Sequence, residues 1–217
     1  MEKPRGTDTY CYTPTQVKSI LQHCYKDERL FWLGDIVTGL AYTGLRISEL
    51  AQLRWDAVDL DSGMFNVLDN SHSSKKAKQV EVSTKGGRTR TIPIHPELRC
   101  VLERKPRHVD GRVFHGPYGG VAKPDTIRVI LKRDVLSVLA KKFKTTKGQR
   151  NLSEGRLHSF RHFSCSQCAA QGVPEQTLMN WLGHRDSEMV RHYFHLHDEE
   201  AQRQMRKINL VESSGAT

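Results

Sequence analysis

The chain has 217 residues, enough for one globular domain with a substantial core. It carries 34 Lys and Arg against 24 Asp and Glu, a formal charge of +10, so a polyanion is the natural partner. No apolar run approaches a membrane-spanning helix and the opening residues lack the apolar stretch of a secretion signal; the five cysteines, odd in number, argue against a disulfide framework and for a reduced, cytoplasmic setting.

Residues 1–12 are polar, carry Pro4 and Gly6, and show no period, so a flexible tail is expected. Thr13-Pro14 has the form of an N-cap followed by proline at the first helical position, and Val17, Ile20, Leu21 and Cys24 recur at helical spacing. From Leu30 to Tyr42 the apolar positions leave little polar face, which predicts a core helix. Thr43-Gly44 interrupts it, and a new helix starting near Leu45 carries Arg46 in its first turn, with Glu49 three residues on. Two readings of that pair stay open: an exposed ion pair, or an arginine whose fork Glu49 steadies for an anion.

Between Ala57 and His95 the period changes. Met64–Leu68, Gln79–Ser83 and Arg90–Ile94 read as short strands of a small antiparallel sheet, with Lys85-Gly86-Gly87 at the hairpin tip between the last two. Leu98–Glu103 reads as a short helix and residues 106–123 as a loop. Thr126–Phe143 returns to helical spacing, one face apolar and the other bearing Arg128, Lys132, Arg133, Lys141 and Lys142. The run from Lys141 to Arg150, which includes Lys144 and Lys147, has no apolar period and suits contact with a DNA backbone.

After Leu157 a helix carrying His158, Phe160, Arg161 and Phe163 stops near Gly172. Val173-Pro174-Glu175 opens another, with Leu178, Met179 and Leu182 as its buried stripe, Gly183 as its C-cap and His184 following. Asp186 or Ser187 can cap a short helix bearing Met189, Val190 and Tyr193. Ala201, Met205 and Ile208 then form a narrow apolar stripe in a polar segment, able to dock on a neighbouring protomer or to fold back on its own domain.

Attack on a phosphodiester needs a nucleophile placed in line, donors on the non-bridging oxygens and a proton for the departing oxygen. Tyr193 can supply the first. Arg161 can supply part of the second, because its rigid fork matches two phosphate oxygens, and the spacing from His158 to Arg161 puts both on one helix face. His162, His192, His195 and His197 with Cys165 and Cys168 invite a zinc reading, yet a single Cys-x-x-Cys on a helix fits small core filling better.

Taken together, these motifs resemble the catalytic domain of the tyrosine recombinase and phage integrase family, which shares its core chemistry with type IB topoisomerases. The likeness rests on Thr43-Gly44-Leu45-Arg46-Ile47-Ser48-Glu49-Leu50, on Thr84-Lys85-Gly86-Gly87 leading into Arg90-Thr91-Ile92-Pro93, on His158-Ser159-Phe160-Arg161-His162, on Leu182-Gly183-His184, and on Tyr193-Phe194-His195, in that order. It implies a mostly α fold with a small three-stranded antiparallel sheet (α+β), in which residues 13–197 form the catalytic domain and residues 198–217 a C-terminal helix and tail.

The resemblance also implies roles. Tyr193 would attack the scissile phosphate and hold the DNA through a 3′-phosphotyrosine link. Arg46 and Arg161 would clamp the non-bridging oxygens, Lys85 would protonate the leaving 5′ oxygen, His158 would assist proton transfer at the tyrosine, and His184 would hydrogen-bond the phosphate. Glu49 would support Arg46, and His195 would steady the tyrosine segment. Lys75, Lys76 and Lys78 compete for the lysine role; the glycines after Lys85 favour it. No cofactor or metal is implied. The implied partners are double-stranded DNA and further copies of the chain in a tetrameric synapse, in a prokaryotic nucleoid and away from membranes. Two rivals use the same fold: a type IB topoisomerase-like relaxing enzyme and a non-catalytic DNA-binding regulator. One departure stands out. Family members usually carry a helical domain ahead of this one, and here only a short tail precedes Thr13.

Overall fold

A computed structural model describes residues 10–68, 89–143, 145, 150–183 and 190. The first helix, α1 (Pro14–Lys26), begins at the expected cap: the Thr13 hydroxyl accepts from the Gln16 N–H at 3.2 Å, and the Gln16 side chain accepts from the Thr13 N–H at 3.0 Å. The segment before it departs from the expected tail. Tyr12 is buried, packs its ring on Phe160 with centroids 4.6 Å apart, and donates its hydroxyl to the Arg156 carbonyl at 3.3 Å. An aromatic with one polar tip gains from burying its ring where the hydroxyl still finds an acceptor, a preference that polar neighbours in sequence conceal.

The central helix is α2 (Phe31–Thr43), buried nearly all round through Leu33, Ile36, Val37, Leu40 and Ala41. It packs against α1, α4 (Pro96–Arg104) and α7 (Leu157–Ala170). Its one buried carboxylate, Asp35, is held by Arg104 and by Lys105 at 2.8 Å, and accepts the Tyr25 hydroxyl at 3.2 Å. That cluster ties α2 to the end of α4. α2 closes at Gly44, whose φ of +63° is left-handed, and α3 (Ile47–Gln52) follows at once.

Among the described residues the sheet has three antiparallel strands in the order β1 (Val58–Asp59), β2 (Met64–Leu68), β3 (Thr89–Pro93). The strands expected at Met64–Leu68 and Arg90–Ile94 are present and a short strand not expected from the sequence joins them: β1 pairs with β2 through Val58 opposite Phe65, and β2 pairs with β3 through Val67 opposite Arg90. A two-residue strand is too short to show alternation. What makes it is the turn, where the Asp59 carboxylate accepts from the N–H groups of Asp61 and Ser62 at 2.9 and 3.0 Å. The segment Gln79–Ser83 lies outside the described residues.

The expected helix over Thr126–Phe143 starts earlier and is not uniform. It runs as α5 (Pro124–Ile130), widens to π geometry over Leu131–Leu136, and ends as the short α6 (Ser137–Leu139). The Ser137 hydroxyl donates to the Lys132 carbonyl at 2.8 Å, five residues back, where a regular α turn would bond four back. Ile127, Leu131, Val135 and Leu139 still reach the core. Finally α8 (Glu175–Leu182) packs on α7 around Cys165, Ala169, Leu178, Met179 and Leu182, and stops at the left-handed Gly183.

Candidate active site

Three chain segments far apart in sequence meet beside α7. The first is the turn between α2 and α3. Thr43 donates its hydroxyl to the Gly39 carbonyl at 2.6 Å and accepts the Leu45 N–H at 3.2 Å, so its side chain bonds both sides of the bend. This turn points the Gly44 carbonyl at α7, where Arg161 donates one Nη to it at 2.6 Å. The other Nη donates to the Leu182 carbonyl, the last residue of α8, at 2.8 Å. Arg161 is 1% exposed and thus fixes the turn, α7 and the end of α8 about one guanidinium.

Arg46 stands at the N-cap of α3. Its N–H donates to Glu49 Oε2 at 2.8 Å and its Nη1 to Glu49 Oε1 at 3.2 Å, closing a loop between backbone and side chain. The Arg46 side chain is 37% exposed and Glu49 only 12%, so the pair is an arginine held at the rim of the site by a mostly buried carboxylate rather than a free surface ion pair. An open cleft of about 470 Å³ between α3 and β2 borders it, lined by Arg46, Ser48, Glu49, Gln52 and Asn66 among others.

His158 lies one helical turn before Arg161 on α7, its ring edge-on to that of His162 with centroids 5.0 Å apart. Desolvation first, then the charges of Arg161 and Arg46, hold its imidazole below the ordinary histidine value. By surface area His158 is an exposed residue, so the two guanidiniums are the contribution that persists when water reaches the ring. Burial, then the charge of Arg46, with Glu49 opposing and Arg90 adding, lowers Arg161 to about 10. It stays a cation at neutral pH.

A further arginine belongs to this group. Arg90 on β3 is 9% exposed; its Nε donates to the Trp181 carbonyl at 2.9 Å and its Nη2 lies 3.0 Å from Glu49 Oε1. The pattern Thr89-Arg90-Thr91-Ile92 held the signal. Alternation places Arg90 on the same face as the buried Ile92, and a charge on the apolar face of a strand asks for a partner.

Of the expected site residues, Arg46, Glu49, His158 and Arg161 come together in the structure. Lys85, His184, Tyr193 and His195 lie outside the described residues, as do Lys144 and Lys147. Arg128, Lys132, Lys141 and Lys142 are exposed on and after α5, with Arg128 paired to Asp125 at 3.1 Å. Cys165 is buried, and Cys168 is partly buried against the same cluster, as core filling. Among the described residues no group of three His, Cys, Asp or Glu side chains could hold a metal ion, and no helix is long and apolar enough to cross a membrane.

Three guanidiniums and one carboxylate leave a surplus of positive charge beside the cleft that Arg46 and Glu49 line. Delocalised forks bind tetrahedral oxyanions well, and His158 beside them, its imidazole held below the ordinary value first by desolvation and then by Arg161 and Arg46, can accept a proton.

Comparison with known proteins agrees with that chemistry. The profile of the phage integrase family matches residues 11–200. A tyrosine recombinase XerC of Xanthomonas campestris pv. campestris (strain B100) is 28% identical over 158 residues, 71% of this chain and 41% of that protein, so the chain spans less than half of this relative's length. Among solved structures, the Tn1549 transposon integrase in complex with a circular intermediate DNA superposes with a TM-score of 0.67 at 22% identity, over 95% of this chain and 68% of that one. The catalytic domain of bacteriophage HP1 integrase gives 0.59 at 22% identity, over 96% of this chain and all of that one. These structural likenesses establish the fold.

Proposed function

Because the chain belongs to the phage integrase family, we propose that it is the strand-transferring domain of a site-specific DNA recombinase or integrase, acting on double-stranded DNA through a 3′-phosphotyrosine intermediate. The observation that carries the reading is the convergence of Arg46 with His158 and Arg161, which follow it by more than a hundred positions in the chain, into one cationic cluster held by Glu49 and by the Gly44 and Leu182 carbonyls.

In the reaction, the Tyr193 oxygen attacks the phosphorus in line, the bond to the 5′ oxygen breaks, and a phosphotyrosine bond replaces it. The phenolic proton passes to His158, which desolvation first, and then the adjacent guanidiniums, bias toward its neutral form beforehand. Lys85 delivers a proton to the leaving 5′ oxygen, and His184 donates to a non-bridging oxygen. Arg46 and Arg161 favour the transition state because negative charge concentrates on the oxygens they face. Attack by a 5′-hydroxyl of a partner strand runs the same steps backwards, and the bond energy is conserved throughout. The exposed Arg128, Lys132, Lys141 and Lys142, with Lys144 and Lys147, take backbone phosphates. Exchange between two duplexes needs several copies on DNA, and the Ala201, Met205 and Ile208 stripe in residues 198–217 is the surface offered to a neighbour.

The test is a pool of suicide duplexes nicked beside a randomised core, incubated with the parent and with Tyr193→Phe and resolved on a denaturing gel. A covalent band from the parent alone supports the assignment. Equal bands from both mean that another nucleophile acts, and no band from either overturns the proposed activity.

A further inference from the structure

We infer that Arg90 is a positioning residue of the strand-cleavage reaction, a strut that fixes Glu49 against Arg46 and ties the sheet to the end of α8. The inference rests on the function proposed above. Arg90 is fixed at the strand by its register opposite Val67 and projects from the apolar face of β3. Its guanidinium reaches two other elements at once: the Trp181 carbonyl near the end of α8 at 2.9 Å, and Glu49 on α3 at 3.0 Å.

Glu49 is therefore shared. Oε1 faces both the Arg46 Nη1 at 3.2 Å and the Arg90 Nη2 at 3.0 Å, while Oε2 accepts the Arg46 N–H. With Arg90 opposite, the carboxylate has one stable orientation, and the Arg46 fork it holds is aimed by it. The fit at α8 is equally close. Gly183 turns left-handed at φ +72°, and a Cβ there would stand 2.8 Å from Arg90 Nη1, so the chain turns directly against the guanidinium plane.

The incomplete bonding of Arg90 argues for a working role. Its Nη2 contact to Glu49 is an ion pair out of line for a hydrogen bond, and neither Nη has a hydrogen-bond partner among the described residues. Stability alone does not ask for a cation whose donors are only partly used, whereas the aiming of a shared carboxylate does.

The experiment compares the parent with Arg90→Met, Arg90→Lys, Glu49→Gln and the Arg90→Met/Glu49→Gln double variant. Three quantities are read: single-turnover adduct formation at saturating duplex, duplex affinity, and the thermal midpoint. Arg90→Met should lower the midpoint only modestly, since Glu49 keeps Arg46 as a partner, and hold DNA affinity within about threefold, yet lose about 100-fold in the saturated rate, because the loss is in aim rather than in binding. Arg90→Lys should not recover that rate, since one ammonium cannot span Trp181 and Glu49. The double variant should be no slower than the slower single one. A saturated rate in Arg90→Met equal to the parent's, full recovery by lysine, or multiplicative losses would each overturn the inference. If the parent itself forms no adduct, the proposed function has failed and the strut is judged on the DNA-free protein: the Arg46 Nε–H resonance should shift in Arg90→Met, and an unmoved resonance sinks it.

Discussion

Replacing Gly44 by alanine tests how the arginine site is built. Gly44 has φ +63°, and a Cβ there would lie 2.6 Å from Leu182 Cδ2 and 3.2 Å from the Ser164 hydroxyl. Leu182 is 1% exposed, so its methyl group can yield only by displacing neighbours. Gly63 provides the matched control: its φ is +68° and nothing lies within 4 Å of a Cβ. Both substitutions incur the left-handed penalty of about 1–2 kcal/mol per residue, and both gain the same stiffening of the unfolded chain. Those contributions cancel between the two. The remaining difference is overpacking at Leu182, about 1–3 kcal/mol. Urea unfolding of Gly44→Ala and Gly63→Ala should therefore separate by that amount, Gly44→Ala being the less stable. Because the Leu182 carbonyl also holds Arg161, Gly44→Ala should slow adduct formation at saturating DNA by about tenfold or more, whereas Gly63→Ala should not. Equal midpoints for the two variants would refute the close approach of the α2–α3 turn to α8.

Other outcomes follow from the same geometry. His158, depressed first by desolvation and then by Arg161 and Arg46, binds a proton less readily folded than unfolded; its contribution to stability is present above the ordinary value of 6.5 and is lost as pH falls through the window between 6.5 and its folded value. An NMR titration should find it below 6.5, and Arg46→Ala should move it upward. Asp35→Asn strands Lys105 and weakens the Arg104 contact between α2 and α4, which should cost about 2–3 kcal/mol in chemical denaturation, below the full penalty for a wholly buried pair because Arg104 is half exposed. Lys132→Gln should weaken binding to all duplexes alike and reduce the slope of log affinity against log salt by about one phosphate contact, with the saturated cleavage rate unchanged.

Much of this was legible in the sequence wherever a local signal and a tertiary need coincide. Thr13-Pro14 and Gly183 mark helix ends by backbone chemistry alone, and the structure places them there. The apolar run of α2 announces a buried helix because no face of it is polar. Arg46 and Glu49 were paired by spacing, but whether the pair was exposed depended on β3 and α8, which no window around residue 46 contains. Arg90 illustrates the same limit: its strand pattern signals a charge on the inner face, while its partners Trp181 and Glu49 are far away in sequence. Tyr12 was hidden among polar neighbours, and the π widening at Leu131–Leu136 preserves the apolar spacing that suggests a plain helix.

The two acceptors that hold Arg161 are main-chain carbonyls, those of Gly44 and Leu182. A carboxylate partner would have spent part of the cation's field and could be deleted by a single codon change. Peptide oxygens carry no net charge and cannot be removed by any substitution, so the anchorage survives sequence drift at either position provided that the chain path is kept. What inheritance must guard around this arginine is thus the shape of two bends in the backbone, and the identity of the side chains beside it is free to vary to the extent that those bends allow.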